Sequence, residues 1–545
     1  MRRLLFIALM LMLAGGAQAF ATLAMNVYIQ AQTVPFVPPD LAAHFAQQQT
    51  QTRFSMGDWS LVKPAAQSIP ADAVRLRPGE NIQAMIEQHP AGTTFVLEAG
   101  TYRLQSVTPR DGDTFIGDGA ASEVVLSGAA LLTEFTREGS YWVASGQTQE
   151  GEQRGECAEG YERCIHPEDL YFDDIPLRHV SSLDQVAPGT WYFDYPNDRV
   201  YFSDDPTGRT VEISVLPHAF QGTANNVTLR RLTVEKYATP AQRGTIRANE
   251  TTGWVIDDVT AQLNHGTGIY IGSDTQLRNS RMLANGQSGL GSNRITGGLV
   301  ENNEIALNNY AGFQMNWAGA ATKFARTHFL TIRGNYVHNN AGVGLWTDID
   351  NWDILYENNL VVSNARQGIY HEISYAAVIR NNIVALNGAQ DSRYLLYGAQ
   401  ILISSSSGVE VYNNLVITDA EVARGIGVMQ QDRGDGDYGD WLAHNNYVHR
   451  NIIVYLGESG ESGVINDSDE QNFWFSSNNR FEFNTYYAPN PDAVRWYWND
   501  QEHSWEQLQT LGQEQQGEFR VGVPQDLQRI PSWQEAQRYN AGSGQ

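Results

Sequence analysis

Three oxygen-bearing side chains in the middle of the chain share a spacing that could carry chemistry. Asn316, Asp348 and Glu372 each stand four residues after a glycine, and Asp350 follows two residues after Asp348. If successive strands bring Asp348 and Glu372 side by side, their carboxylates lie about 4.8 Å apart. Carboxylates at that distance repel each other, so either one is protonated or a cation sits between them.

Aromatic and basic residues accompany these side chains in the sequence. Aromatic faces beside carboxylates suit sugar rings, which stack their C–H faces on large flat side chains. Lys323, one of only three lysines, falls in the stretch 318–326, which we expect to form a loop above the same face. The candidate substrate-binding residues are Trp317, Trp346, Tyr370, Tyr375, Arg366 and Arg380.

A repeat positions these residues. An Asn-apolar-Val/Ile phrase recurs along the chain, with intervals of 24 residues from Asn335 to Asn359 and 23 residues from Asn359 to Asn382. Glycine-led alternating segments follow most of these phrases. A period of 22 to 24 residues with short β segments, aligned asparagines and no helical pattern indicates a parallel β-helix.

Strand alternation then assigns the faces of each coil. The residues directly after Gly312, Gly344 and Gly368 are expected inside, which stacks Phe313, Leu345 and Ile369 in the core. The second and fourth residues point outward, so Asn316, Asp348 and Glu372 form one column, with Trp346 and Tyr370 exposed beside it. His371 falls in the inward set, and we expect it to be a hydrogen-bonded core histidine.

The segments 76–88 and 92–102 resemble the N-terminal cap of secreted right-handed β-helix proteins, the pectin-lyase-like family of carbohydrate-active proteins. This resemblance implies an all-β, single-stranded right-handed parallel β-helix with an inserted small β-barrel or hairpin module and a short C-terminal helical cap. The expected divisions are a signal peptide or signal anchor at 1–29, a linker at 30–75, the cap and first coils at 76–130, the inserted module at 131–215, the main coils at 216–480, and a last coil, helical cap and tail at 481–545.

The composition limits the classes of partner that the protein is expected to bind. The chain has 61 acidic and 36 basic side chains and a net charge of −25, and it carries no basic stripe, which argues against a nucleic-acid partner. The two cysteines, Cys157 and Cys164, are expected to form a disulfide in an oxidising compartment. The sequence does not indicate an oligomeric state.

The N-terminal residues predict export. Arg2 and Arg3 precede the apolar run 4–13, and Ala17-Gln18-Ala19 is a small-x-small cleavage site. Apolar character resumes at 20–29, so the same stretch is also long enough to act as an uncleaved anchor. The expected location is periplasmic, extracellular or envelope-anchored, with membrane contact only if the anchor is retained.

One interpretation of the site is a polysaccharide lyase. The constellation resembles calcium-dependent alginate and pectate lyases of this fold, which implies that Asn316, Asp348 and Glu372 hold Ca²⁺ and Lys323 acts as the base. Arg366 or Arg380 would bind the uronate carboxylate. The site is also similar to mannuronan C5-epimerases, whose rung carries Asp-Pro-His-Asp, but the histidine is missing here.

Two other interpretations remain open. An inverting glycoside hydrolase would use Asp350 as base and Glu372 as acid, at a diagonal of roughly 8 Å, whereas Asp348 and Glu372 at about 5 Å approach retaining geometry. A non-catalytic glycan-binding or adhesion protein would use the same fold without chemistry. The acidic run 432–440 is expected to be a solvated turn.

Overall fold

The computed structural model describes residue 41 and residues 69–391, 395–470 and 472–529. The predicted signal segment, most of the linker before residue 76 and the end of the C-terminal tail lie outside these residues. Within these ranges, no helix combines the length and apolar character needed to span a membrane.

The chain winds into a right-handed parallel β-helix, as the repeat predicts. A typical coil contributes one strand to a 12-stranded sheet, for example Leu345–Asp348, and two short strands to a 24-stranded sheet, here Ile354–Glu357 and Leu360–Val362. Strands pair in parallel with their counterparts one coil later, and only the final pair of the described 12-stranded sheet, Val494–Trp498 with Gln501–His503, is antiparallel. The candidate site therefore lies on the 12-stranded sheet.

The strands of the 12-stranded sheet are Phe220–Gln221, Gly244–Arg247, Thr267–Tyr270, Ser288–Thr296, Ala320–His328, Leu345–Asp348, Ile369–Glu372, Ile401–Ser404, Arg424–Gln431, Gly460–Asp467, Val494–Trp498 and Gln501–His503. Those of the 24-stranded sheet are Val74–Leu76, Thr94–Glu98, Gly100–Arg103, Thr114–Asp118, Val124–Ser127, Thr228–Glu235, Val255–Gln262, Gln276–Arg278, Arg281–Leu283, Leu299–Glu301, Glu304–Ala306, Thr331–Arg333, Tyr336–His338, Ile354–Glu357, Leu360–Val362, Ala377–Arg380, Ile383–Ala385, Val409–Tyr412, Leu415–Thr418, Tyr447–His449, Ile452–Tyr455, Arg480–Glu482, Thr485–Ala488 and Glu518–Val521.

The core follows the expected alternation in the central coils. Leu345, Ile369 and Ile401 pair in register and lie inside, where burying each aliphatic side chain contributes about 1.5–3 kcal/mol. His371 is also fully buried, with Nδ1 2.7 Å from the hydroxyl of Thr347 and Nε2 2.6 Å from the carbonyl of Tyr375. Burial lowers the pKa of His371 to about 4, which suits a neutral core histidine.

One predicted stack is wrong. Phe313 does not lie above Leu345, because the strand of that coil is Ala320–His328, with Phe324 opposite Thr347. This strand pairs along most of its length with Ser288–Thr296, so the additional residues of the coil form the loop 310–319 before the strand. Phe313 instead packs in a separate cluster with Cys164 and Ala241.

Buried asparagines join the coils at one corner. The Asn359 side chain donates to Asn382 at 2.9 Å and accepts from Asn335 at 3.0 Å, and the series continues to Asn484 and ends at Glu514. The ladder satisfies backbone and side-chain polar groups that have no access to water, which explains the recurrence of asparagine in the sequence.

A module outside the coils occupies 129–214. It contains a four-stranded sheet and a five-stranded sheet around its own apolar core, which includes Trp191 and Phe202. Cys157 and Cys164 form the predicted disulfide. The strands of the first sheet are Ala129–Leu132, Leu170–Phe172, Ile175–Pro176 and Val211–Ser214, and those of the second are Thr136–Glu138, Tyr141–Ser145, Arg178–His179, Thr190–Asp194 and Arg199–Phe202.

Short helices cover parts of the β-helix. Ile82–Glu87 begins at Asn81, whose side chain accepts from the amide of Ala84, and buries Ile82 and Ile86 against the first coils. Trp505–Thr510 forms the predicted C-terminal helical segment. Between residues 69 and 529, further short helices are the α-helix Phe473–Ser476 and the 3-10 turns Ala121–Glu123, Leu183–Gln185, Tyr195–Asn197 and Gln525–Leu527.

Candidate active site

A cleft of about 390 Å³ opens on the outer face of the 12-stranded sheet. Its floor is formed by the strands Thr267–Tyr270, Ser288–Thr296 and Ala320–His328. Residues from the module at 129–214 and from the loop 310–319 also line it, through Arg154 and Trp317.

Small side chains make room for the cleft. Three successive strands place Tyr270, Gly291 and Lys323 at paired positions. Because Gly291 has no side chain, there is space between the phenol of Tyr270 and the ammonium group of Lys323. A Cβ atom at Gly291 would lie 2.8 Å from the Tyr270 ring, which shows that the ring leans across the glycine. Ala325 pairs with Asn293 on the adjacent strand and adds only a methyl group to the neighbouring row of outward-facing side chains.

The lining of the cleft is positively charged. Four basic side chains, Arg154, Arg243, Lys323 and Arg326, line it, and no aspartate or glutamate is among its described lining residues. Within the described part of the chain, none of the three arginines forms a salt bridge. Such a concentration of unpaired positive charge in a protein of net charge −25 fits an anionic ligand.

Among the described lining residues, Tyr270 is the one ionisable side chain that is not basic. Burial raises its pKa to about 12, although Arg243 and Arg154 oppose the shift by stabilising the phenolate. The hydroxyl is therefore protonated at neutral pH, and its pKa depends on the charge brought in by a ligand.

Lys323 lies on a strand, and the predicted loop 318–326 is wrong. Its Nζ is 2.8 Å from Oδ2 of Asp348, donates to the carbonyl of Trp317 at 2.5 Å, and lies 3.9 Å from the centre of the Trp346 ring. The side chain is thus beside Asp348, as the sequence suggested. Its contacts with a carboxylate, a carbonyl and an aromatic face hold the Nζ atom in place.

Asp348 and Glu372 pair directly in adjacent strands, as their spacing predicts. Both are only 7% exposed, and each has a cationic partner. Arg433 donates to Glu372 at 2.6 Å, and Lys323 contacts Asp348. Burial raises the pKa of Asp348, Lys323 opposes this effect, and the neighbouring charge of Glu372 adds to it.

Asn316 is not part of this column, which is a correction to the predicted register. The neighbours in the column are Ala325 on one side and Ser404 on the other. Asn316 lies in the loop 310–319, where its Oδ1 accepts from Arg366 at 2.7 Å. Arg366 also pairs with Asp391 at 3.0 Å, so it is a buried structural group.

These donors do not fit a calcium ion. Lys323 and Arg433 already neutralise Asp348 and Glu372, and the amide oxygen of Asn316 is engaged by Arg366. In addition, the part of the chain that the structure describes contains no group of three or more His, Cys, Asp and Glu side chains able to hold a metal.

The predicted exposure of two aromatic residues is wrong. Trp346 and Tyr370 point away from the coil core and stack on each other at 6.0 Å, but they are 2% and 3% exposed. A second apolar cluster, to which Leu396 and Ala399 contribute, covers them. Trp317 does line the cleft, where a sugar ring could contact it.

A hairpin from the acidic run 432–440 covers Asp350 and Tyr375, two further residues of the predicted site. Its strands are Asp435–Gly436 and Gly439–Asp440. Oδ1 of Asp350 accepts from Nε1 of Trp441 at 3.0 Å, and the hydroxyl of Tyr375 donates to the carbonyl of Gly439 at 2.7 Å. The expected solvated turn therefore buries Asp350 and Tyr375.

Arg380 does not reach the site. It belongs to the 24-stranded sheet, where it contacts Glu357 at 2.8 Å and the hydroxyl of Tyr412 at 3.0 Å. The structure also brings forward functional candidates that the sequence did not single out, namely Arg154, Arg243, Tyr270, Arg326 and Arg433. Tyr270 had a signal, because it occupies the same place in its glycine-led segment as Tyr370. The arginines had no such signal. Arg243 follows a turn, and Arg154 belongs to the separate module. Arg326 lies near the end of the strand Ala320–His328, and Arg433 contacts Glu372 without lining the cleft.

Comparisons with known proteins agree with this fold. A family model described as a right handed beta helix region matches residues 244–416. A search of curated proteins found no significant match. XylC, solved with xylose, is 16% identical, with 82% of this chain and 83% of that chain covered and a TM-score of 0.58. At that identity the likeness shows the fold alone.

Two further solved structures match at lower similarity. The A-module of the mannuronan C-5 epimerase AlgE6 from Azotobacter vinelandii is 15% identical, with coverage of 81% and 94% and a TM-score of 0.47. The GH87 alpha-1,3-glucanase catalytic unit from Streptomyces thermodiastaticus strain HF3-3 is 11% identical, with coverage of 84% and 69% and a TM-score of 0.44.

Proposed function

We propose that this protein is an exported enzyme that acts on a polysaccharide containing uronic acids and cleaves it by β-elimination. The observation that carries the proposal is the cleft lined by Arg154, Arg243, Lys323 and Arg326 and by no described carboxylate. A neutral glycan would leave the three arginines without an anionic partner, whereas the carboxylates of a uronate chain would neutralise them.

The spread of the charges suits a chain of several sugars. Arg243 immediately precedes the strand Gly244–Arg247, and Arg326 lies three strands further along the sheet. Three strand spacings correspond to about 14 Å along the helix axis. The basic side chains can therefore contact carboxylates on more than one sugar of the same chain.

β-Elimination requires neutralisation of the uronate carboxylate and transfer of its α-proton. Arg243 would bind the carboxylate of the reacting sugar beside Tyr270. The hydroxyl of Tyr270 first gives up its proton to solvent, and the phenolate, which the positive charge of Arg243 stabilises, then accepts the α-proton. The α-carbon C–H bond breaks, a C=C bond forms, the glycosidic C–O bond breaks, and the phenol returns the proton to the leaving oxygen. Lys323 was the first candidate for the base, but its Nζ is already engaged by Asp348 and by the carbonyl of Trp317.

The hydrolase interpretation has less support. A general base and a general acid must both reach the sugar, yet Asp350 accepts from Trp441 beneath the hairpin and Glu372 is paired with Arg433. Export belongs to the proposal because the disulfide requires an oxidising compartment and such polymers lie outside the cytoplasm.

A panel of purified polymers tests the proposal. We expect alginate, pectate or another polyuronate to yield new ultraviolet absorbance from an unsaturated uronate product, and neutral glucan and xylan to yield none. New reducing ends without that absorbance would indicate a hydrolase. Changed uronate stereochemistry without cleavage would indicate an epimerase. Binding without any product would indicate a non-catalytic glycan-binding protein.

A further inference from the structure

The disulfide lies against the loop that completes the cleft. Cys157 forms a backbone bridge with Phe313, and both cysteines pack in one cluster with that ring. On either side, the amide of Ala158 donates to the carbonyl of Gly312, and the amide of Gln314 donates to the carbonyl of Glu156, each at 2.8 Å. The segment 154–164, in which the disulfide closes residues 157–164, therefore contacts the loop 310–319 along its backbone.

Glycines permit this close contact. A Cβ atom at Gly155 would lie 2.7 Å from the Phe313 ring and 3.3 Å from the Trp317 ring, and Gly155 also has a φ of 130°. A Cβ atom at Gly312 would lie 2.3 Å from the Tyr161 ring. The two segments thus pack without space for any other residue at these positions.

Both segments present functional groups to the cleft. Arg154 lines it and donates to the side chain of Gln242 at 2.9 Å, while its buried Nε has no hydrogen-bond partner. Trp317 lines it as well, and its carbonyl accepts from Lys323. One disulfide-braced unit therefore positions an arginine, an aromatic ring and the acceptor that orients the lysine.

We propose that segment 154–164 is a substrate-binding wall of the cleft, in which Arg154 binds a carboxylate of the polyuronate chain and the disulfide keeps Trp317 and Lys323 in position. This inference rests on the proposed function, because it names the module at 129–214 as the part that sets affinity for the anionic substrate. Arg154 is then a specificity-determining residue that the β-helix alone does not supply.

Substitution of Arg154 tests the wall. We expect Arg154→Gln to raise KM for the polyuronate about tenfold or more, with kcat changed by less than about threefold, because a charge-assisted contact to the substrate is lost. Arg137→Gln is the matched control, since Arg137 is an exposed arginine of the same module that does not line the cleft. Equal KM values for the two variants would overturn the proposal.

Removal of the disulfide provides a second measurement. In the double variant Cys157→Ser, Cys164→Ser we expect faster hydrogen–deuterium exchange in 310–319, unchanged exchange in the strands 345–348 and 369–372, and a higher KM. Unchanged exchange in 310–319 would contradict the wall. Wild-type protein that binds no polyuronate in isothermal titration would instead refute the proposed function, and the wall with it, so the two failures are distinguishable.

Discussion

At the scale of single residues, the proposed chemistry depends on the hydroxyl of Tyr270. We predict that Tyr270→Phe lowers kcat on the polyuronate at least about a hundredfold, the usual effect of losing a general acid or base. KM should change little, because Arg154 and Arg243 still bind the substrate. Steady-state kinetics with Tyr412→Phe as control checks this, since Tyr412 lies on the other sheet. Equal activity of both variants would exclude Tyr270 from proton transfer.

The Lys323–Asp348 pair makes a prediction about stability. Its side chains are 18% and 9% exposed, so removing one charge leaves the other poorly solvated. We predict that Asp348→Asn and Lys323→Gln each lower the free energy of unfolding by about 2 kcal/mol. The double variant should lose much less than the sum, and urea denaturation of all four proteins measures this coupling. Strict additivity would show that the pair contributes nothing.

At the scale of elements, the asparagine ladder ends on an ionisable group. Glu514 accepts from the Asn484 side chain at 2.6 Å and from the Tyr486 hydroxyl at 2.8 Å, and burial raises its pKa to about 7. A raised pKa in the folded state means that protonation stabilises the fold. This contribution is fully present below the ordinary pKa of 4.5 and is lost as the pH rises through 7.

Glu514→Gln, which resembles the protonated carboxyl group, should remove that dependence. We predict equal stability of variant and wild type near pH 4, and a more stable variant near pH 8.5, by up to about 3 kcal/mol at 1.36 kcal/mol per pKa unit. Urea midpoints at the two pH values provide the measurement. A constant difference between the proteins across this range would contradict the assigned pKa.

At the scale of the whole molecule, the acidic surface and the basic cleft oppose each other. The net charge of −25 repels a polyuronate at long range, whereas the cleft attracts it at contact. At about 0.1 M salt the screening length is about 10 Å, so added salt weakens the long-range repulsion most. We predict that the association rate rises several-fold between 10 mM and 150 mM salt, measured by stopped-flow fluorescence. A falling rate would mean that the cleft dominates the field.

The sequence by itself determined the β-helix and much of its register. The asparagine and glycine periods reflect groups that stack on themselves in every coil, such as Asn359 on Asn382, so the pattern is visible without any tertiary information. The same alternation assigned Leu345 to the core and paired Asp348 with Glu372. These are properties of neighbouring strands, and they follow from the local period of two.

Only the tertiary structure decided what covers the outer face and where the cleft lies. Alternation correctly predicted that Trp346 points outward, but its exposure depends on Leu396 and Ala399, which pack in the same cluster. Arg154 reaches the cleft from the separate module, braced by a disulfide against the loop 310–319. Burial and electrostatics depend on which distant segments come into contact, and no repeat within the coils encodes those contacts.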